Sequence, residues 1–316
     1  MIAIGVDIGG TSIKGAFINE QGTILNRFSM KVDKDAAPEG EVAKLCDLIV
    51  HDRDELKTNE EIKGIGIGIP GILDMDEGII VSSPNLPTWD GFNIKAFMEK
   101  KLKYKVLINN DANVAALGEA KFGSGKNYKD LIMITLGTGV GGGVIINGKL
   151  FDGNKHQGAE LGHMVIRMDG KPCGCGRRGC FEAYASASAL IRDTKAMMKK
   201  HPISMLTEIE KELVGIDGRN AFLAAKRGDK YGQKLVDNYV KYLSEGLINY
   251  CNIFRPEAII LSGGIANEKE YLIDKVVEYL EKHTYGMKGS PKVKILNGQL
   301  GYDSGKIGAA SLVLFE

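Results

Sequence analysis

One short pattern occurs twice in this chain, as "VDIGGTSIKGAFI" at residues 6–18 and as "ITLGTGVGGGVII" at 134–146. Each copy reads as an apolar strand, a turn rich in Gly and Thr, and a second apolar strand. A duplicated hairpin implies two related halves, and 316 residues suffice for two domains with separate cores. Around both copies apolar runs alternate with helical patterns, which argues for an α/β architecture rather than separate all-α and all-β parts. Strand candidates are 2–7, 13–18, 23–29, 64–69, 105–109, 131–137, 142–146 and 258–263. Helical candidates are 39–57, 93–102, 111–121, 186–200, 231–254, 268–283 and 304–314, with no low-complexity linker between any of them.

The first turn, "DIGGTSIK", removes Cβ atoms at Gly9 and Gly10, where backbone must approach something closely. Thr11 adds a hydroxyl and Lys14 a cation, which are properties suited to phosphate. A Gly-Gly pair is equally at home in an ordinary hairpin turn. Asp7, a carboxylate ending an apolar strand, favours the phosphate reading because it suits a hydrated Mg²⁺ beside a nucleotide. The second turn, "LGTGVGGG", has five glycines in eight residues with Gly137, Thr138 and Gly139 at its tip, and it too can offer N–H groups to phosphate. Neither turn carries the P-loop pattern or a strand-to-helix G-x-G-x-x-G, which disfavours those nucleotide folds. A third glycine pair, Gly263 and Gly264 in "LSGGIAN", leads from a strand into a helix, where a helix N-terminus could face a nucleotide or the glycines could simply serve packing.

"INNDANVAALGEA" follows the strand "KVLI" and puts Asn110, Asp111 and Asn113 where strand passes into helix. Asp and Asn are preferred N-caps, although capping does not need three of them. An Asp at the carboxyl end of a strand is placed to accept a proton from a substrate hydroxyl attacking phosphorus.

Three of the five cysteines lie close together in "HMVIRMDGKPCGCGRRGCFE". His163, Cys173, Cys175 and Cys180 read H-x9-C-x-C-x4-C, a complete tetrahedral Cys3His set that predicts a structural zinc knuckle. Four protein ligands leave no open position for a metal-bound water, so metal-assisted hydrolysis is not expected of it. Glu160 and His163 in "GAELGH", and Glu182 two residues after Cys180, would be pinned by the same loop as a polar cluster suited to several sugar hydroxyls. Cys46 and Cys251 are isolated and read as small buried hydrophobes.

Charge and targeting signals narrow the partners. Lys plus Arg number 41 against 40 Asp plus Glu, which argues against a nucleic-acid or membrane-surface protein held by bulk electrostatics. The opening "MIAIGVDIGG" has no basic region or cleavage site, and no apolar run approaches membrane-spanning length. A cytoplasmic protein is expected, and in that reducing compartment clustered cysteines favour metal over disulfides.

Taken together, these motifs resemble the ROK family of bacterial sugar kinases and related repressors, and more closely its zinc-containing glucokinases. The resemblance runs essentially end to end and adds "GIPG" at 68–71 and "SPNLPTW" at 83–89 as sugar-side loops. It implies the duplicated ribonuclease H-like fold of actin and hexokinase, an α/β fold of two domains around a cleft that closes on substrates. The expected division is residues 1–110 with 302–316, and 111–301 carrying the zinc loop. The resemblance further implies an ATP- and Mg²⁺-dependent kinase converting glucose to glucose 6-phosphate, with Asp111 as base. Gly71, Asn85, Asn110, Glu160, His163 and Glu182 are the implied sugar contacts. Asp7, Gly9, Gly10, Thr11, Lys14, Gly137, Thr138 and Gly139 fall to the phosphates, and Gly263 and Gly264 to the adenosine side. The family's repressors carry an added N-terminal helix-turn-helix domain, which is not expected here because Asp7 already belongs to the phosphate turn. Partners are expected to be a sugar and ATP, with no nucleic acid and no membrane, in a homodimer or homotetramer. The alternatives are a kinase for N-acetylmannosamine, N-acetylglucosamine or fructose, a sugar-sensing regulator without catalysis, and an actin-like or chaperone-type ATPase, which would not need the zinc loop.

Overall fold

A computed structural model describes residues 1–286 and 291–316. The chain begins β1 (Ile2–Ile8), β2 (Ser12–Asn19), β3 (Ile24–Lys31), α1 (Pro38–Glu55), β4 (Ile62–Ile69), β5 (Ile72–Asp74), β6 (Ile79–Ser82), α2 (Ile94–Leu102), β7 (Val106–Asn110) and α3 (Asp111–Phe122). It continues through β8 (Leu131–Leu136), β9 (Val140–Ile146), β10 (Lys149–Phe151), α4 (Glu182–Ala185), α5 (Ala187–Lys200), α6 (Met205–Leu213), α7 (Arg219–Lys226) and α8 (Lys230–Phe254). The last elements are β11 (Ala258–Ser262), α9 (Glu270–His283), β12 (Lys294–Asn297) and α10 (Ser304–Leu314).

Two compact units result, the first of residues 1–129, 143–159 and 299–316, the second of 130–142 and 160–298. The first is built on a sheet of order β3-β2-β1-β4-β7, antiparallel through β3, β2 and β1 and parallel from β1 to β7. Side chains alternate across a strand. Ile2, Ile4, Val6 and Ile8 of β1 accordingly join Val42, Leu45 and Ile49 of α1 and Met98 of α2 in one core. Ala3 turns to the other face, where Ile307, Ala310 and Val313 of α10 cover it. Asp7 has the parity of Ala3 and so lies on the α10 face.

Small residues on that face let backbone meet backbone. A Cβ on Gly66 of β4 would collide with the carbonyl of Ala309, and one on Gly308 of α10 with the carbonyl of Val114 in α3. This packing decides which segments the first unit holds. Residues 111–122 are held by α10 in the first unit, and 143–159 go with them because Gly143 sits against Ala112 and Ala116 of α3.

Two helical glycines should therefore respond oppositely to the same change. Gly308→Ala is expected to destabilise by about 1–3 kcal/mol or more, since neither helix backbone can retreat. Gly40→Ala, in α1 with nothing within 4 Å of an added Cβ, should stabilise by about 0.5–1 kcal/mol. Denaturant melts of the two variants beside the parent check both signs.

The second sheet has the order β10-β9-β8-β11-β12, with β11 parallel to β8 and β12, and β9 antiparallel to β10. Strand for strand this repeats the first sheet, so the duplicated hairpin at 6–18 and 134–146 is the visible part of a duplicated sheet. In the second unit α8 buries Leu235, Val236, Tyr239, Leu243 and Leu247. The motif-free stretch 200–230 supplies α6 and α7, which bury Leu206, Ile209 and Phe222. Among the described residues no helix is long and apolar enough to cross a membrane.

Within the first unit, the segment 152–159 is held by a histidine. His156 Nδ1 lies 2.7 Å from Asp152 Oδ2 and Nε2 lies 3.7 Å from Asp76 Oδ1. Lys155, His156 and Ala159 all have left-handed backbone, with φ of 49°, 59° and 59°, so the loop is strained and depends on such contacts. The hydrogen bond to Asp152 raises the His156 pKa above its ordinary 6.5, with Asp76 adding to it. A raised pKa stabilises the loop fully below 6.5, and that contribution is lost as pH rises through the folded value. Amide exchange over 152–159, corrected for intrinsic rate, should thus be slower at about pH 6 than at about pH 9, and Asp152→Asn should flatten the difference.

Candidate active site

The sequence-predicted residues fall into one group in each unit. In the first, the parallel strands β1, β4 and β7 end side by side, with Asp7 in register with Gly68 and Ile69 with Asn110. Ligand sites in parallel α/β sheets lie beyond such carboxyl ends. Asp7 is also the cross-strand partner of Lys14 on β2, and Gly9 closes the turn between them by donating to the Ser12 carbonyl at 2.9 Å. Thr11 is exposed in that turn. Gly10 meets the loop at 83–89, since a Cβ there would lie 3.0 Å from the Asn85 carbonyl oxygen.

Asn110 caps α3, its side-chain oxygen accepting from Ala112 N at 2.9 Å while its Nδ2 donates to the Gly71 carbonyl at 3.4 Å. The capping function thus belongs to Asn110. Asn113 is occupied structurally, buried and donating to Asn109 Oδ1 at 3.0 Å. Asp111 is then the first residue of the helix, with Oδ1 accepting from its neighbour Ala112 N at 2.8 Å. Burial pushes the Asp7 carboxyl above its usual range and the charge of Asp111 pushes it the same way, while Lys306 and Lys14 pull it back. Two carboxylates thus share one end of the sheet between two cations.

Lys306 was not among the expected site residues. Its side chain is buried, 2.8 Å from Asp303 Oδ1, and its Nζ donates to the Tyr302 carbonyl at 3.1 Å. The signal was present, as a lone charge inside the apolar run "SGKIGAASLVLF".

In the second unit the turn between β8 and β9 carries Gly137, exposed Thr138 and Gly139, with Gly137 N donating to the Gly139 carbonyl at 3.1 Å. Thr135, not among the expected site residues, fixes the strand after it by accepting from Gly141 N at 3.1 Å. The third glycine turn abuts this one. Gly263 has φ of 90°, and a Cβ there would lie 2.6 Å from the Leu136 carbonyl oxygen, with Gly264 following.

His163, Cys173, Cys175 and Cys180 converge, all four ligand atoms lying within 4.8 Å of one another. Cys175 and Cys180 sulfurs are 3.7 Å apart, and Cys173 Sγ is 3.6 Å from His163 Nδ1. A zinc tetrahedron with ordinary Zn–S and Zn–N bonds has edges of about 3.8 Å between sulfurs and about 3.6 Å from sulfur to nitrogen, so the donor set fits that ion. Nδ1 faces the sulfurs, which leaves Nε2 as the ring's other polar atom. Glu160 is exposed at the start of the short turn that carries His163, whose N–H donates to the Glu160 carbonyl at 3.1 Å. Glu182 opens α4 directly after the cysteines. Its Oε2 accepts from Val140 N at 3.0 Å and its Oε1 lies 3.4 Å from Cys173 Sγ. In this structure that carboxylate is turned to the glycine turn and the knuckle, contacts that its expected sugar role did not include.

A twice-repeated five-stranded sheet with glycine turns at the carboxyl ends of its strands defines the duplicated ribonuclease H-like class shared by actin and hexokinase. The chain belongs to the ROK family, which matches residues 3–316. It is 36% identical over 317 residues to a glucokinase of Thermotoga maritima, covering 98% of this chain and 96% of that one. The crystal structure of a ROK family glucokinase from Streptomyces griseus in complex with glucose and AMPPNP is 34% identical, with a TM-score of 0.82 and full coverage of both chains. A xylose repressor of Bacillus subtilis is also similar, 31% identical over 313 residues, or 99% of this chain and 77% of the repressor.

Proposed function

We propose that this protein is an ATP-dependent sugar kinase that converts glucose to glucose 6-phosphate, with Asp111 as general base. The observation that carries this reading is the pair of carboxylates Asp7 and Asp111 at the ends of β1 and β7, flanked by Lys14 and Lys306. Asp111 takes the proton of the 6-hydroxyl, that oxygen forms a bond to the γ-phosphorus, and the bond to the leaving ADP oxygen breaks. Asn110, tied to Gly71, supports the same end of the sheet and would hold a neighbouring hydroxyl. Asp7 is suited to a hydrated Mg²⁺, because a cation relieves the charge of a buried carboxylate set beside another. When bound, Mg²⁺ would neutralise phosphate charge. The Cys3His set would hold a structural Zn²⁺ that orders the loop around His163 and Glu182.

Similarity to a repressor favours a second reading, a sugar sensor without turnover. A coupled ADP-release assay over glucose, 2-deoxyglucose, fructose, N-acetylmannosamine and N-acetylglucosamine separates the two. Glucose is expected to give the highest kcat/KM, since acceptors built for hydroxyls are left unpaired by analogues lacking them. Better turnover of an N-acetylated hexosamine would keep the kinase and remove the glucose assignment, and binding without ADP release would favour the sensor.

A further inference from the structure

The turn between β8 and β9 is gripped at both ends by the stretch that leaves the metal knuckle. At one end Ala187 N donates to the Gly137 carbonyl at 2.8 Å, and at the other Val140 N donates to Glu182 Oε2 at 3.0 Å. The Glu182 carboxylate lies so close over Gly139 that a Cβ on that glycine would collide with it. Gly162, the neighbour of His163, packs against the Val140 carbonyl, where its own Cβ would collide. Both metal-ligating segments therefore bear on the turn, one through Gly162 and one through Glu182 and Ala187.

A turn of this composition needs such support. With five glycines in "LGTGVGGG" it loses more conformational entropy on ordering than other sequences, and a ligand that had to order it would bind correspondingly more weakly. Its hydrogen bond to the Glu182 carboxylate is of the stronger, charge-assisted kind. Oε1 of the same carboxylate is 3.4 Å from Cys173 Sγ, so ordering of the knuckle and ordering of the turn share one side chain.

We infer that Glu182 and the Ala187 N–H are positioning groups through which the metal knuckle presets the nucleotide turn, so that metal occupancy governs nucleotide affinity as well as sugar binding. This rests on the kinase reading, in which Gly137–Val140 holds phosphate. It separates from the simpler expectation that the metal serves the sugar side alone.

Ala187 offers a clean test because it is the first residue of α5, following Ser186 in extended backbone with ψ of 160°. Proline suits that helix position and tolerates an extended predecessor, so Ala187→Pro keeps α5 while it removes the N–H and pushes its ring against the Gly137 carbonyl, releasing that end of the turn. Full-length, metal-loaded protein is titrated calorimetrically with ADP without sugar and, separately, with glucose, while zinc is measured by elemental analysis. Ala187→Pro and Glu182→Gln should each weaken ADP about three- to tenfold with zinc content unchanged. Ala187→Pro should leave glucose affinity within about twofold. Wild-type protein stripped of metal, if still folded by circular dichroism, should lose ADP affinity at least as strongly. Unchanged ADP affinity in both variants overturns the inference, as does an equal loss of ADP and glucose binding in Ala187→Pro. Should Ala187→Pro fail to fold, the nearly isosteric Glu182→Gln decides alone. Wild-type protein that binds glucose but no ADP overturns the kinase reading itself, and this inference with it.

Discussion

Replacing Asp111 by Asn is expected to leave a folded protein that still binds glucose but turns over about a hundredfold to ten-thousandfold more slowly, the usual contribution of a general base. The change preserves shape. Asn can still accept from Ala112 N, as Asp111 Oδ1 does at 2.8 Å, and Asn110 remains the cap of α3. What disappears is a carboxylate able to take a proton, together with the charge it places beside Asp7. The loss should therefore sit in kcat, with the glucose dissociation constant little changed. Steady-state kinetics paired with glucose titration checks this, and turnover above about a tenth of the parent's would contradict the base role.

Cys175→Ser should have the largest effect on stability. Removing one of four donors from a set of which two measured edges match a zinc tetrahedron would free the segment from His163 to Glu182, and structural zinc sites supply much of the folding energy of their loops. The melting temperature should fall by about 10 °C or more, with zinc content reduced. Chelator should reproduce most of that fall in the parent and add little in the variant. An equal melting temperature in parent and variant, with no zinc in either, would remove the metal from this account.

The alternation of apolar runs was enough to locate the strands that matter, because a central strand such as "IAIGVD" or "AIILSG" is apolar along its whole length and bounded by glycine or charge. The cysteine knuckle was legible for a different reason. Metal ligands must lie close together, and here most of that closeness is already closeness in sequence. What could not be read is what depends on distant partners. Position alone pins Glu182 near the cysteines, yet its hydrogen bond to Val140 joins positions 42 residues apart. His156 and Asp76 meet only through the fold. The grouping of residues 111–122 with the first unit is equally beyond the sequence, because it depends on Gly118 and Gly308 as points of close approach between α3 and α10. Edge strand β12 and hairpin β5–β6 are only 4, 3 and 4 residues long, too short for their periodicity to show.

Phosphorus NMR of the products formed from ATP and glucose by the purified protein tests the kinase assignment most directly. The expected products are ADP and a hexose phosphate in equal amounts, with the phosphate on the 6-oxygen and at most about a hundredth as much from Asp111→Asn in the same time. ATP consumed to ADP and inorganic phosphate regardless of sugar, or left intact while glucose binds, would contradict it.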